Sequence, residues 1–472
     1  MLLKQSFKNK NILILGYGKS GQSAHKLLSP LAKQIFVFDK SFKIKILKNN
    51  KKINNLIKNN YFFNKNNKLL NKLIIQDNKF LFEKNNVFFE NDLKKILSNN
   101  KIHFCILSPG ISIFSKEVLL VKRFGIRVIS ELELGLIFSK GKIFAITGTN
   151  GKTTTCHALH HIFCTANKTS FLCGNVGTPI TEIANQTTKN SLIVLEVSSF
   201  QMETTKNFCP FASAILNLLP DHLDRHKTFE NYVYNKSKIF MHPKTKKFLN
   251  FDDANSRKLA KKFLDAKPFS ITNLKTLHLA EENNLLGKYN LSNLVVASVL
   301  AKEVGIKDDV IKKANQTFLP LNHRLKKVAE FNNITFVNDS KSTNIGGTLS
   351  ALESMEGEII LLLGGSSKNL DFSPLAKKQI FAVIGYGETL PDIKKAFTGK
   401  SNFFEAKNLE TAFNLATALA EKTENKKNIL LSPASASFDE FTGYEQRGEF
   451  FESLVNNYIQ IESIRLQRNK QY

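Results

Sequence analysis

Residues 145–154 read Ala-Ile-Thr-Gly-Thr-Asn-Gly-Lys-Thr-Thr, and this stretch is the most informative part of the sequence. The apolar residues 143–146 predict a short buried strand, and the apolar spacing after the glycines predicts a helix. A glycine-rich turn between a strand and a helix points backbone N–H groups at an anion, and the helix dipole favours negative charge there. Lys152 would place an ammonium near the β- and γ-phosphates, and the Thr153 hydroxyl suits Mg²⁺. We therefore predict a variant phosphate-binding loop for a nucleoside triphosphate, since the general motif has glycine where Ile146 stands.

Length and composition limit the class of protein. At 472 residues the chain is too long for one hydrophobic core and suggests about three domains. Its hydrophobic content of 42% is ordinary for a globular protein, and no apolar run approaches the roughly 18 residues that span a bilayer. Residues 1–10 are polar and do not resemble a signal peptide. The five scattered cysteines lack a C-x-x-C pair, which favours free thiols in a cytoplasmic protein.

The net charge of +27 raises the alternative of a nucleic-acid-binding protein. Most of the excess is lysine, it accompanies abundant Asn, Ile and Phe, and tryptophan is absent. We interpret this as a compositional drift spread over solvated faces, because no cluster of arginine and aromatic residues is visible. We expect no nucleic-acid partner and no membrane partner.

A second glycine-rich turn lies near the N-terminus. Residues 11–21 read Asn-Ile-Leu-Ile-Leu-Gly-Tyr-Gly-Lys-Ser-Gly and predict a strand, a turn and a helix to about Leu28. A second predicted strand, residues 35–38, ends at Asp39, 18 residues beyond Gly21. This is the βαβ pattern of a dinucleotide-type Rossmann domain. A nicotinamide-dependent oxidoreductase is one alternative, but any pyrophosphate fits such a turn.

The rest of the first segment is less informative. Residues 42–100 are rich in Lys and Asn, and we expect helices and loops there. Residues 104–107 then predict a buried strand that ends in Ser108-Pro-Gly110. Ligands of open parallel sheets bind at such carboxyl ends.

The segment after Gly141 contains further candidate polar groups. The apolar strand from Leu192 ends in Glu196, and a carboxylate in that position is costly unless it is paired or metal-bound. Because it follows a phosphate loop, Glu196 is a candidate Mg²⁺ ligand. The predicted strand Ala212 to Leu218 leads into Asp-His-Leu-Asp-Arg-His at residues 221–226, a cluster typical of metal or phosphate chemistry.

The last third of the chain repeats one arrangement. Three predicted strands each end in small, hydroxyl or charged residues, which suits a small anionic substrate. The predicted strands are residues 335–337, 359–363 and 429–431. The residues that follow them are 338–344, 364–368 and 432–439, respectively. We therefore predict an α/β protein in three domains: a Rossmann-like domain at 1–140, a central P-loop ATPase-type domain with a mostly parallel sheet at 141–320, and a Rossmann-like α/β domain at 321–472.

These motifs, in this order, resemble the Mur ligase family of ATP-dependent amide-bond-forming enzymes over nearly the whole chain. The loop at residues 147–153 is shared by all branches of that family. Other stretches resemble the branch that adds D-glutamate to UDP-N-acetylmuramoyl-L-alanine, namely residues 195–201, His323-Arg324, residues 338–344, and residues 431–437 with 445–448. A sister ligase that adds a different amino acid is the alternative within the family.

The resemblance implies a nucleotide and metal site with ATP and two Mg²⁺ ions. The implied catalytic residues are Lys152, Glu196, His222 and Lys236, and the implied metal ligands are Thr153, Glu196, His222 and a carbamylated Lys236, with Lys238 as a rival for that lysine. The implied ATP-binding residues are Gly148, Thr149, Asn150, Gly151, Lys152, Thr153, Thr154, Asn290, Asn293, Arg324 and Asp339.

The resemblance also implies two substrate sites and a monomer that acts on small molecules in the cytoplasm. The implied UDP-substrate contacts, from the 1–140 domain and the central domain, are Gly18, Lys19, Ser20, Asp39, Ser108, Gly110 and Asn175. The implied D-glutamate contacts, from the 321–472 domain, are Lys341, Thr343, Lys368, Ser437, Phe438 and Tyr444.

Overall fold

The structure, a computed structural model, describes residues 4–40, 92–273, 277–366, 370–400, 402–423 and 425–469, together with the backbone of five strands between residues 62 and 90. The chain forms two compact units. The first contains Met1–Phe269 with Glu303–Ile306, and the second contains Ser270–Lys302 with Lys307–Tyr472. The first unit contains two large sheets, so the division into three domains stays a prediction.

The N-terminal sheet of the first unit is built around β1. Its neighbours β2 and β8 are both parallel to it, and the strand order is β5-β6-β7-β2-β1-β8-β9 among the described residues. The strands are β1 (Asn11–Leu15), β2 (Gln34–Phe38), β5 (Leu73–Gln76), β6 (Lys79–Lys84), β7 (Val87–Glu90), β8 (Phe104–Leu107) and β9 (Arg127–Ser130), and a separate pair is formed by β3 (Phe62–Phe63) and β4 (Leu69–Leu70).

The prediction of helices and loops for residues 42–100 was wrong over part of that stretch. Strands β5 and β6 pair antiparallel, β6 and β7 pair antiparallel, and β7 extends the sheet parallel to β2. The sequences Lys-Phe-Leu-Phe-Glu-Lys of β6 and Val-Phe-Phe-Glu of β7 contain the aromatic and aliphatic residues that strands favour. The surrounding Lys and Asn residues concealed these short runs. Residues 41–61 and the connections between these strands lie outside the described residues.

The central sheet of the first unit is parallel throughout, with the order β11-β12-β10-β13-β14-β15 among the described strands. Strand β10 lies between β12 and β13, so its carboxyl end is flanked on both sides. The predicted strand 212–218 ends at Ile215, because the next residues turn to contact the phosphate loop. The strands are β10 (Lys142–Thr147), β11 (Ser170–Gly174), β12 (Leu192–Glu196), β13 (Ala212–Ile215), β14 (Lys246–Asn250) and β15 (Lys267–Phe269).

The second unit contains one sheet, with the order β16-β17-β21-β18-β19-β20 among its described strands. Strand β16 is an antiparallel edge, and the other pairings are parallel. The strands are β16 (Lys326–Phe331), β17 (Ile334–Asn338), β18 (Glu358–Gly364), β19 (Ala382–Tyr386), β20 (Phe403–Glu405) and β21 (Lys427–Ala434).

Helices connect the parallel strands. Those of the first unit are α1 (Lys19–Leu28), α2 (Leu93–Asn99), α3 (Lys116–Arg123), α4 (Glu131–Phe138), α5 (Lys152–Thr165), α6 (Ile180–Ile183), α7 (Ser199–Thr204), α8 (Leu223–His226), α9 (Phe229–Ser237) and α10 (Ala254–Ala260). Those of the second unit are α11 (Gly287–Lys302), α12 (Asp308–Thr317), α13 (Ile345–Glu353), α14 (Ser373–Ala376), α15 (Leu390–Ala396), α16 (Leu409–Glu421) and α17 (Tyr444–Asn469).

The cores lie on the faces of these sheets. The apolar residues of β1, β10, β12, β17 and β18 are buried on both faces, as parallel strands under helices require. In the central sheet, residues of β10, β12 and β13 pack with Ile180, Ile239 and Phe240 in one cluster. Each buried aliphatic side chain contributes about 1.5–3 kcal/mol, so these strands are fixed in place. None of the helices in the described part of the chain combines the length and apolar character of a membrane span.

Candidate active site

The phosphate loop lies at the centre of the central sheet. Strand β10 ends at Thr147, and α5 begins at Lys152 behind Gly151, whose φ is +83°. The Lys152 ammonium donates to the carbonyl of Gly148 at 2.9 Å and to that of Thr149 at 2.8 Å. Its charge therefore lies inside the loop, next to the N-terminus of α5. This is the arrangement that binds an anion.

A carboxylate and a hydroxyl face each other beside the loop. Glu196 ends β12 and is 3% exposed, and its Oε2 accepts the hydroxyl of Thr153 at 2.7 Å. Its Oε1 accepts the side-chain amide of Asn175 at 3.1 Å. Thr153 and Glu196 supply hard oxygen donors, which are the ligands that Mg²⁺ prefers. The donor set therefore fits a magnesium ion, although among the described residues no three His, Cys, Asp or Glu side chains gather as a metal site.

His222 lies in the segment after β13. It adopts a left-handed backbone with φ +54°, its side chain is 50% exposed, and its Nε2 is 3.6 Å from Asp221 Oδ2. The ring packs edge-on against Phe200, with 4.8 Å between centroids. Arg225 also lies over Phe200, with its guanidinium 4.1 Å from the ring centroid, and pairs with Glu203 at 2.7 Å. Phe200 thus supports the loop that presents His222.

Lys236 points into the phosphate loop from α9. It is 2% exposed, and its ammonium donates to the Gly148 carbonyl at 2.7 Å and lies 3.4 Å from the Thr147 hydroxyl. Burial, with the nearby charge of Lys152, holds the pKa of Lys236 well below its usual value. Its rival Lys238 donates instead to the Met202 carbonyl at 3.0 Å. The geometry therefore favours Lys236 for a role at the nucleotide.

The sequence did not single out Asn217, which holds the phosphate loop from the β13 side. Its Oδ1 accepts the Asn150 N–H at 2.9 Å, its Nδ2 donates to the Asn150 carbonyl at 3.2 Å, and its own carbonyl accepts the Thr149 N–H at 3.0 Å. The Thr149 hydroxyl in turn lies 3.0 Å from the buried Tyr232 hydroxyl. The sequence offered no signal for this role, because the apolar run 212–218 places Asn217 inside the predicted strand.

The glycine-rich turn of the N-terminal sheet contains the candidate contacts for the UDP part of the substrate. The Tyr17 N–H donates to Asp39 Oδ2 at 2.5 Å, and the Ser108 hydroxyl donates to the Gly16 carbonyl at 2.9 Å. A Cβ at Gly21 would lie 2.0 Å from the Gly16 carbonyl oxygen, so only glycine fits there. Gly18 caps α1, and the other candidate contacts of this sheet are Lys19 and Ser20 in its first turn and Gly110 after β8.

The candidate ATP-binding residues of the second unit are largely buried. Asn290 and Asn293 lie one turn apart on α11, and the Asn293 amide donates to Asn290 Oδ1 at 3.2 Å. Asp339 follows β17, and its oxygens accept the Leu325 N–H at 3.1 Å and the Ser432 hydroxyl at 2.8 Å. Burial raises the pKa of Asp339 to about 6, against the opposing effect of these hydrogen bonds and of the Arg324 charge.

The amino-acid candidates of the second unit gather at the carboxyl ends of β17 and β21. The Lys341 ammonium lies 4.0 Å from the centroid of the Tyr444 ring, a cation–π geometry. Ser437 is buried, and Phe438 is 73% exposed. Thr343 lies in the loop before α13. Lys368 is outside the described residues.

Comparison with known proteins agrees with this arrangement. The sequence profile of the Mur ligase middle domain matches residues 146–277. A UDP-N-acetylmuramoylalanine--D-glutamate ligase of Caldanaerobacter subterraneus subsp. tengcongensis is 38% identical over 381 residues, which cover 75% of this chain and 84% of that protein. A ligase of the same name from Thermoanaerobacter sp. is 32% identical, and the match covers 95% of this chain and 98% of the relative.

The fold is also similar to that of solved structures. A MurF ligase from Thermotoga maritima in complex with ADP aligns with a TM-score of 0.54 and 15% sequence identity, over 78% of this chain and 93% of that one. At this level of identity the likeness concerns the fold. It agrees with the parallel sheets and connecting helices described above.

Proposed function

The chain belongs to the Mur ligase family, and from that premise we propose that it joins D-glutamate to UDP-N-acetylmuramoyl-L-alanine at the expense of ATP, in cytoplasmic peptidoglycan precursor synthesis. It acts as an EC 6.3.2.9 ligase, and we infer that it works as a monomer. The single observation that carries the proposal is the phosphate loop, with Lys152 folded into it beside the Thr153–Glu196 pair. The names of the close relatives support the D-glutamate branch.

The loop residues bind and orient the triphosphate. The N–H groups at the start of α5 and the Lys152 ammonium offset its negative charge, as preorganised donors do in phosphoryl transfer. Asn290 and Asn293 would contact the adenine, and Arg324 and Asp339 would complete the nucleotide site. The remaining loop residues Gly148, Thr149, Asn150, Gly151 and Thr154 would line the phosphates.

Thr153 and Glu196 would hold one Mg²⁺, and His222 with Lys236 would serve a second. When bound, Mg²⁺ neutralises charge where the substrate carboxylate meets the triphosphate. A lowered pKa increases the unprotonated fraction of the lysine amine, and the unprotonated amine can add CO₂ to form a carbamate, with release of one proton. The carbamate would give Lys236 an anionic oxygen beside Gly148, the type of ligand that a hard cation needs.

The reaction proceeds in two steps. The alanine carboxylate of the nucleotide substrate attacks the γ-phosphorus of ATP, so that an acyl phosphate forms and ADP leaves. The amine of D-glutamate then attacks the acyl carbon, and phosphate leaves as the amide bond forms. Phosphorylation is needed because a carboxylate alone is a poor electrophile. The protein residues position the groups and exclude water from the acyl phosphate.

The two substrates would bind at separate strand edges. Gly18, Lys19, Ser20, Asp39, Ser108 and Gly110 would bind the uridine diphosphate part, with Asn175 near the sugar. Lys341, Thr343, Lys368, Ser437, Phe438 and Tyr444 would contact the incoming amino acid. The lysines among them suit the carboxylates of D-glutamate.

An amino-acid panel tests the branch. We would incubate the protein with ATP, Mg²⁺ and UDP-N-acetylmuramoyl-L-alanine, offer D-glutamate, L-glutamate, L-alanine or a diamino acid one at a time, and measure the new amide by mass spectrometry. We expect D-glutamate to be the one amino acid of this panel that gives a product. A product with another amino acid would assign the chain to a sister branch, and no product with any of them would contradict the ligase proposal.

The carbamate has its own test. Lys236→Ala should lose activity and regain part of it with short carboxylic acids, which can occupy the space of the carbamate. Lys238→Ala is the matched control, because Lys238 contacts the Met202 carbonyl and not the phosphate loop. Rescue of Lys238→Ala, with an unaffected Lys236→Ala, would move the role to Lys238.

A further inference from the structure

Arg447 is the largest fully buried side chain of the second unit. It lies in α17, is 0% exposed, and makes five hydrogen bonds, one for each of its N–H donors. Nε donates to the Ser340 hydroxyl at 3.0 Å, and the two terminal nitrogens donate to four carbonyl oxygens at 2.9–3.3 Å, those of Ser340, Ser435, Gly364 and Ala436. A planar guanidinium alone among side chains has this number of donors in one fixed plane.

These acceptors come from the ends of three strands. Ser340 follows β17, Gly364 ends β18, and Ser435 follows β21. The fit is close, since a Cβ at Gly365 would lie 2.9 Å from a terminal nitrogen of Arg447 and 2.1 Å from the Ala436 carbonyl oxygen. Arg447 therefore fixes the relative positions of the three loops from which the amino-acid contacts are proposed to come, since Lys341 directly follows Ser340 and Ser437 directly follows Ala436.

The charge of Arg447 is only partly balanced. Among the described residues its five acceptors are one hydroxyl and four carbonyls, so dipoles rather than a carboxylate hold it. The buried Tyr386 hydroxyl and the carboxylates of Asp439 and Glu440 also act on the guanidinium, and neither carboxylate is among its five acceptors. Burial lowers the pKa of the guanidinium, but arginine stays charged in proteins. The strand ends therefore share a positive potential with Lys341.

We propose that Arg447 is the positioning and specificity-determining residue of the amino-acid site: it joins the ends of β17, β18 and β21, and its buried charge favours an amino acid with an anionic side chain. The inference rests on the proposed function, since it deepens the assignment of that site. It does not place Arg447 in contact with the substrate.

Two substitutions separate the hydrogen bonds from the charge. Arg447→Lys keeps the charge and loses most of the planar donors, whereas Arg447→Gln loses both. For each we would measure KM for D-glutamate, ATP and the nucleotide substrate, and the ratio of kcat/KM for D-glutamate to that for D-glutamine, its neutral analogue. We expect Arg447→Lys to raise KM for D-glutamate about tenfold, with little change in KM for ATP and an intact preference for D-glutamate. In Arg447→Gln, the ratio of kcat/KM for D-glutamate to that for D-glutamine should also fall about tenfold.

Equal changes in all three KM values, or an unchanged preference in Arg447→Gln, would overturn the inference. If Arg447→Gln does not fold, Asp439→Asn decides. This substitution removes a negative charge whose electrostatic effect reaches the guanidinium, so KM for D-glutamate should fall while that for D-glutamine stays constant. An unchanged or higher KM for D-glutamate would refute the charge argument. A wild-type protein that forms no amide with D-glutamate would instead refute the proposed function.

Discussion

Two lysines share one carbonyl at the centre of the candidate site. Lys152 and Lys236 both donate to the Gly148 oxygen, at 2.9 and 2.7 Å. Burial of Lys236, together with the repulsion between the two ammonium groups, lowers the pKa of Lys236. The site therefore combines a loop lysine suited to hold phosphate with a helix lysine that loses its proton more readily.

Lys152→Ala should abolish turnover and leave the fold intact. The ammonium lies within the loop against the Gly148 and Thr149 carbonyls, so its loss removes charge stabilisation where we propose that the triphosphate binds. Steady-state phosphate release checks activity, and circular dichroism checks the fold. Lys168→Ala is the matched control, since Lys168 is an exposed lysine just beyond the same helix. Substantial activity in Lys152→Ala would contradict the assignment of the phosphate loop.

Because of Asp339, the free energy of unfolding should fall as pH rises from about 4 to about 6. Burial raises its pKa from 3.8 to about 6, so the folded protein holds a proton that the unfolded chain has already released in that window. The difference of about 2 pKa units corresponds to about 3 kcal/mol of destabilisation above pH 6. Urea unfolding of Asp339→Asn should lack this decline.

The exposed Asp309 provides the control for that measurement. Asp309→Asn should retain the decline of the wild-type protein between pH 4 and 6. If the free energy of unfolding of Asp339→Asn falls with pH as steeply as that of the wild-type protein, burial does not raise the pKa of Asp339.

At the scale of elements, the segment after β13 connects the central sheet to the phosphate loop. Asn217 contacts the loop, while Asn250 donates to the Leu216 carbonyl at 2.8 Å and Asn255 to the Leu218 carbonyl at 2.7 Å. Side-chain amides thus hold this segment from both sides. It ends the strand three residues earlier than the apolar run in the sequence predicts.

Asn217→Ala should raise KM for ATP about tenfold, because two hydrogen bonds to Asn150 are lost, each contributing about 0.5–1.5 kcal/mol. The fold should tolerate the change, and kcat should change less than KM. Asn255→Ala is the control, since it loosens the same segment without contacting the loop and should lower stability with little effect on KM. The opposite pattern, with KM raised only in Asn255→Ala, would show that Asn217 does not position the loop.

Strands and turns that are determined by a few neighbouring residues could be predicted from the sequence. The buried strands at residues 12–15, 143–146 and 192–196, and the turns that follow them, are determined by short apolar runs and glycines. Strands β5 to β7 were missed. Strand β7 joins the sheet through β2, which is distant in the sequence, and the lysine-rich residues around these strands do not indicate this pairing. Asn217 and Arg447 were missed as positioning residues because they depend on distant parts of the chain. Asn150, the partner of Asn217, is 67 positions away, and three of the five acceptors of Arg447, on Ser340 and Gly364, are 83 to 107 positions away.

At the scale of the whole molecule, many of the candidate contacts share one kind of position. In each of the three large sheets they follow the carboxyl ends of neighbouring parallel strands, such as β1 and β8, β10 and β12, and β17 and β21. Asn290, Asn293 and Lys236 are exceptions, since they lie on helices. We propose that the three sheets, which belong to two compact units, each contribute contacts for one substrate.

The most direct test of the ligase proposal is phosphate release from ATP by the whole protein with Mg²⁺ and UDP-N-acetylmuramoyl-L-alanine, with D-glutamate either added or omitted. We predict sustained release only when both substrates are present, and none from Lys152→Ala under the same conditions. Release that does not depend on D-glutamate, or no release from a folded wild-type protein, would contradict the proposal.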